Sequence, residues 1–255
     1  MGETLKKGSF TGLLYRELYL ARKSCITGII MFAAFAAAGW LVLLSTQFGN
    51  LAKLFTELEL PEQQMNNMRD TVFMMMKGLP SVMGMQFLFA VAEMAARDEL
   101  AAWQRFARCS PVMPAKRAAV RTVILLMAAA ASFLLPLAYI AFIDVLQGQG
   151  VSYDELAVLT TFVVGVSAVT VLAQVYIMLF HSMDKGMLAL IGTIMVPIWT
   201  LAFISGMDRH GEELELEESL LPFCRSFCPF APLVFIAVLA IGFAVMYLLF
   251  KRREK

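Results

Sequence analysis

Arg97, Asp98, Glu99, Arg105 and Arg108, with Trp103 and Phe106 set among them, interrupt a series of long apolar runs. Residues of these types do interface chemistry. Guanidinium groups pair with carboxylates through a planar fork of donors, and a large, rigid aromatic is the usual anchor of a docked surface. On a helix advancing about 100° per residue, Ala96, Leu100, Trp103, Phe106 and Ala107 gather on one arc, while Arg97, Asp98, Arg105 and Arg108 take the other side. Glu99 blurs the apolar side. Pro111 and Pro114 are expected to stop this helix, since proline lacks the amide donor and crowds the preceding turn. Lys116, Arg117 and Arg121 then restart a basic stretch. Two readings fit: a short amphipathic helix that holds a soluble partner, and a solvated loop between two spans.

Other candidate groups are sparse. Lys77 lies inside an apolar run, where an ionisable group is costly and so marks a default site; it is also close enough to the end of that run to snorkel. Gln86 and Gln174 are deeper and neutral, placed either to line a pathway or to bond between helices. His210 with Glu212 and Glu213 forms an acidic stretch that fits a solvated face better than a metal site. Cys224 and Cys228, at i and i+4, could pair or serve as small apolar residues of a short helix. The chain has two histidines, no His-Glu-x-x-His, no Gly-x-Ser-x-Gly and no zinc-type cysteine spacing. No Gly-Lys-Ser/Thr occurs, so any ATP would be bound by a different chain. Nucleic acid is not an expected partner.

The elements that must position these groups are membrane spans. Of 255 residues, 60% are hydrophobic and 16% charged, with a mean hydropathy of +0.72; soluble domains lie nearer 45–50% apolar, by about that measure. The expected fold is all-α, a polytopic membrane protein with six transmembrane helices near 25–47, 72–95, 120–143, 156–180, 187–206 and 231–250, each about the 20 residues that a bilayer core requires. Segment 1–24 is expected to be an interfacial amphipathic helix, on which Phe10, Leu13, Leu14, Leu18, Leu20 and Ala21 share a face and Tyr15, Arg16, Tyr19, Arg22 and Lys23 take the rest. Segment 96–119 is the cytoplasmic connection. Segment 207–230 is an outer loop whose apolar half, Leu220 to Phe230, fits short helices that dip back toward the bundle.

Charge sets the orientation. With both termini inside, sixteen of the 21 lysines and arginines fall on inner segments and four on outer ones, Lys77 lying within a span. Thirteen of the 20 acids fall outside. The first long apolar run begins near Cys25 and is too long for a signal-peptide core, so no cleavable signal is expected. Pro80, Pro136 and Pro197 predict kinks, and Gly165, Gly192 and Gly242 permit close helix approach. The spans show almost no acid. That pattern disfavours an ion-coupled carrier, which usually holds acids or broken helices near mid-membrane, and favours a pore worked by a separate motor.

The order of Leu13-Leu14-Tyr15-Arg16-Glu17-Leu18-Tyr19-Leu20, a first span, a second span ending in Asp98, then Trp103, Phe106, Ser110-Pro111-Val112 and Lys116-Arg117 resembles the permease subunits of type-2 ABC exporters. The family pattern is an Asp, a downstream Trp, an aromatic, then Leu-Pro-Val and a basic residue. Here Cys109 and Pro114 depart from the commoner residues. The resemblance implies a half-transporter that pairs with a second, identical or paralogous permease. A separate ATPase subunit would bind ATP and magnesium and grip the coupling helix at 97–109. It also implies an N-terminal interfacial helix at 10–23 resting near that ATPase and short re-entrant helices at 219–230. Exporters of amphipathic peptide toxins such as phenol-soluble modulins are similar in size and plan, and the chain's 18 methionines suit apolar cargo. An ion-coupled carrier, or a membrane anchor or immunity protein that transports nothing, is the alternative.

Overall fold

A computed structural model of the chain describes residues 2–48, 72, 75–100, 113–146, 148, 150–208 and 216–254, with side chains described within 10–46, 72, 75–100, 113–146, 148, 150–196 and 220–252. Among the described residues every regular element is helical. They are α1 (Gly2–Phe48), α2 (Met75–Leu100), α3 (Pro114–Leu146), α4 (Tyr153–Phe180), α5 (Met183–Asp208), α6 (Leu216–Phe227), a 3-10 turn (Cys228–Phe230) and α7 (Ala231–Glu254). Five helical stretches are long and apolar enough to cross a membrane: Phe10–Thr46, Met75–Leu100, Pro114–Leu146, Tyr153–Phe180 and Leu220–Arg252. The remaining expected span, 187–206, falls within α5, whose side chains from 197 onward lie outside the described residues.

The helix α1 runs unbroken for 47 residues, about 70 Å at the α-helical rise, where about 30 Å crosses a bilayer core. The turn expected near residue 24 is absent. No proline or glycine lies between Gly12 and Gly28, and side-chain bonds from Ser24 to Glu93 and from Arg97 to the Leu20 carbonyl hold this stretch along α2. The packed face also differs from the expected one. Phe10, Leu13, Leu14 and Leu20 do pack against the core, but Leu18 is exposed and Glu17 is buried in its place.

The central helix is α2, with 56% of its most apolar window buried against 17% for α1. Its Met85, Leu88, Val91 and Met94 interleave with Val120, Ile124 and Leu125 of α3 and with Leu159, Val163 and Val171 of α4. Prolines shape these contacts. Pro80 cannot donate to the Met76 carbonyl, and Tyr139 of α3 supplies a hydroxyl to that oxygen at 3.4 Å. A Cβ on Gly39 would overlap the same hydroxyl, which explains the glycine. One turn beyond Pro80 the ladder tightens around Met85, whose amide bonds the Val82 carbonyl at 3.0 Å. A Cβ on Gly84 would stand 2.5 Å from Cγ of Pro136 in α3. Of the glycines expected at close approaches, only Gly242 meets a neighbour, Val171. Gly165 and Gly192 face open space.

Local signals set the other termini. Pro114 opens α3 instead of closing the preceding helix, because its fixed φ suits a first helical position that needs no amide donor. Lys116 and Arg117 therefore belong to the first turn of α3. Ser152 and Glu155 form a capping box at the start of α4, each side chain bonding the other's amide at 3.2 Å. His181, in the left-handed region, ends α4, and α5 folds back on it with a Tyr176–Thr193 hydroxyl contact of 2.9 Å. Cys224 and Cys228 are unpaired, the first in α6 and the second in the 3-10 turn. The acidic stretch 209–215, the loop 49–71 and the coupling residues 101–112 lie outside the described residues.

Candidate functional site

Consecutive spans run antiparallel, which brings the start of α1, the end of α2, the start of α3 and the ends of α4 and α7 to one end of the bundle. There the chain buries an ion network. Asp98 is 2% exposed and accepts from two arginines, Arg16 Nη2 at 2.5 Å and Arg121 Nη2. Arg16 Nη1 also donates to Glu17 Oε1 at 2.7 Å. Arg121 is 4% exposed; its guanidinium meets the Met178 sulfur at 3.7 Å and lies 5.6 Å over the Phe250 ring. Two arginines and two acids balance in formal charge, and burial makes each dependent on its partner, because desolvating an unpaired ion costs several kcal/mol by order of magnitude. Beside the network, His181 Nδ1 stands 3.5 Å from Glu99 Oε2.

A second cluster occupies the opposite end. Lys77 Nζ donates to Asp144, 1% exposed near the end of α3, and to Glu155 Oε1 at 2.6 Å. Glu155 thus caps its own helix with one oxygen and holds α2 with the other. Arg225 of α6 reaches Asp154 in a two-pronged pair at 2.5 and 2.7 Å on the surface.

A crevice of about 460 Å³ opens between α1, α2, α4 and α5, toward the end that holds Asp98. Lys23 and Thr27 of α1, Gln86 and Phe89 of α2, and Met183 and Met187 of α5 border it. Within it Glu93 pairs with Arg97 at 2.6 Å, and Arg97 also donates to the Leu20 carbonyl at 2.7 Å.

The expected site residues thus divide. Arg16, Glu17 and Asp98 converge, but as a buried network and not on an exposed docking face. Arg97 turns back onto α1. Leu100 is 79% exposed at the end of α2, Tyr15 is exposed and stacks on Tyr19, and Lys116 and Arg117 are half-buried. Trp103, Arg105, Phe106, Arg108 and Pro111 lie outside the described residues. Lys77, Gln86 and Gln174 share no common path: Lys77 is held by acids, Gln86 borders the crevice, and Gln174 is buried with its amide bonded to the Val91 carbonyl at 3.2 Å. Asp98 and Asp144 lie just beyond the expected spans 72–95 and 120–143, each buried near the end of a helix long enough to cross a membrane.

Sequence reasoning missed Arg121, Asp144 and Glu155. The Ser152-x-x-Glu155 spacing announces a helix start and would have placed Glu155 at the mouth of α4. Arg121 follows Ala118 and precedes Leu125 at the helical interval of a packed stripe, so its inward direction was readable, although its partners were not.

No protein-family model, curated protein or solved structure matches this chain. The fold defines its class: an all-helical bundle of membrane-spanning type, with an ion cluster at each end.

Proposed function

We propose that the chain is the membrane-spanning permease subunit of an ATP-driven exporter, working with a separate ATP-binding subunit and a second permease to move an amphipathic or hydrophobic substrate. The observation that best supports this is the Arg16–Asp98–Arg121 network. It ties α1, the last turn of α2 and the second turn of α3 together on both flanks of segment 101–112. A force applied to that segment by a soluble motor would therefore be shared by three spans at once, the kind of rigid-body coupling that switching proteins use. Trp103 would fill a groove on the motor, and Arg105 and Arg108 would set register and encounter rate.

The test is co-purification of the ATP-binding subunit with wild-type chain and with Trp103→Ala, normalised to folded permease. The variant is expected to weaken attachment by about 2–4 kcal/mol, the cost of losing an interface hot spot. Undiminished recovery would remove Trp103 from the coupling role. A second reading, an ion-coupled carrier, is favoured by the Lys77–Asp144–Glu155 cluster, since buried acids paired with a lysine are the usual equipment of a proton or cation pathway. Reconstituted vesicles separate the two: uptake driven by an ion gradient without nucleotide would establish the carrier.

A further inference from the structure

The crevice between α1, α2, α4 and α5 has a composition that neither ion cluster shares. Its one acid, Glu93, is matched by Arg97 and by the Ser24 hydroxyl. Lys23 is exposed at its border and makes no ion pair among the described residues. The site therefore carries one uncompensated positive charge. Deeper along the same groove, Thr27, with its hydroxyl, and Gln86, with its amide, are both exposed residues. Thr27 stands one turn beyond Lys23 on α1, and Gln86 lies against Gly28, where a Cβ would come within 3.3 Å of its own. A cation and a hydroxyl on α1 and an amide on α2 thus follow one another along the groove, away from the end that holds Asp98. The flanking wall is apolar: Phe89 is 50% exposed and Met183 41% exposed, and Met187 is half-buried.

We propose that this crevice is a lipid site, taking the phosphate of an anionic phospholipid on Lys23, its ester carbonyls on Thr27 and Gln86, and an acyl chain along Phe89 and Met187. The order of groups matches the order of parts in a glycerophospholipid, from phosphate through esters to hydrocarbon. Basic pockets between spans are suited to anionic headgroups, and the local excess of a single positive charge favours a net-negative headgroup over a zwitterion. The apolar wall argues for a lipid and not a free phosphate, since a soluble anion would leave Phe89 and Met183 uncovered. This site stands apart from the transport reading.

The test is native mass spectrometry of the full chain in detergent, titrated with phosphatidylglycerol, phosphatidylcholine, or glycerol phosphate. Wild type is expected to hold one phosphatidylglycerol in preference to phosphatidylcholine, with glycerol phosphate failing to displace it. Lys23→Gln should weaken phosphatidylglycerol about fivefold, the effect of one basic residue near a charged membrane surface. Lys185→Gln removes a charge at the same end of the bundle but outside the crevice and should change nothing. Met187→Trp, which fills the groove, should abolish the bound lipid while the thermal midpoint stays unchanged. Equal losses for Lys23→Gln and Lys185→Gln would reduce the effect to diffuse attraction and overturn the site. Equal retention of the two lipids, or displacement by glycerol phosphate, would overturn it as well.

Discussion

Replacing Asp98 by alanine removes the acceptor on which two arginines converge. Arg16, whose side chain is 23% exposed, can turn toward solvent, but Arg121 cannot. Enclosed by α2, α4 and α7, it would keep the Met178 sulfur, the Phe250 face and the more distant fields of Glu17 and Glu99, with no carboxylate in hydrogen-bond contact. Removing one partner of a buried ion pair costs about 3–5 kcal/mol. In a chain of this size each kcal/mol is worth about 2–4 °C of Tm, so Asp98→Ala should lower the midpoint by about 6–20 °C by these scales. Arg121→Met should cost less, because Asp98 then retains Arg16 at 2.5 Å and the methionine fills the vacated space. The double variant Asp98→Leu/Arg121→Met should recover most of the loss, since no ion is left stranded against α4 and α7. Thermal unfolding of the detergent-purified chain measures all three. A drop below about 2 °C for Asp98→Ala, less than one kcal/mol on that scale, or additive losses in the double variant, would show that Asp98 and Arg121 are not energetically coupled.

Two further outcomes test the packing at the opposite end. Lys77→Met strands Asp144 and should cost about 3–5 kcal/mol, whereas Glu155→Gln, at a position 26% exposed, should cost under about 1 kcal/mol as partly exposed pairs do; thermal unfolding of the two variants side by side reads the order. Gly39→Ala should cost about 1–3 kcal/mol by overpacking against Tyr139, and adding Tyr139→Phe, which deletes the overlapping hydroxyl, should return much of that loss; a wholly additive pair would show that the clash is with the Met76 backbone instead.

The helices were legible because burial in lipid leaves a one-dimensional trace. An apolar run of about 20 residues has few other uses, and five of the expected spans coincide with helices long and apolar enough to cross a membrane, although the second, expected from 72, is described as a continuous helix only from Met75. Their ends were less legible, because local chemistry decides them. Pro114 can close one helix or open the next, and the choice depends on whether its missing amide would have had a partner. The N-terminal turn was misplaced for a related reason. Amphipathic composition marks the stretch from Phe10 to Lys23, yet a bend near residue 24 also needs a residue that breaks the helix, and no proline or glycine lies between Gly12 and Gly28. The partnership of Arg121 with Asp98, or of Lys77 with Asp144, is set by which helices neighbour one another. Nothing in the spacing of 23 or 67 positions encodes that.

The same geometry changes what the first helix can do. A separate interfacial helix could shift against the membrane without moving its span. An unbroken α1 cannot: any displacement of Arg16 at the Asp98 end is carried through Ser24 and Gly28 to Gly39, which lies against Tyr139 and α2 near the Lys77 cluster. Both ion clusters anchor α2 and α3, one at each end, so these two helices are pinned to each other along their full length. Outside this pinned pair, α5 packs extensively on α4, a hydroxyl pair and the close approach of Gly186 to Ile177 being among the contacts. The crevice bordered by Met183 and Met187 lies between α5 and the α1–α2 face, so a lipid seated there would fill the space between α5 and the pinned helices.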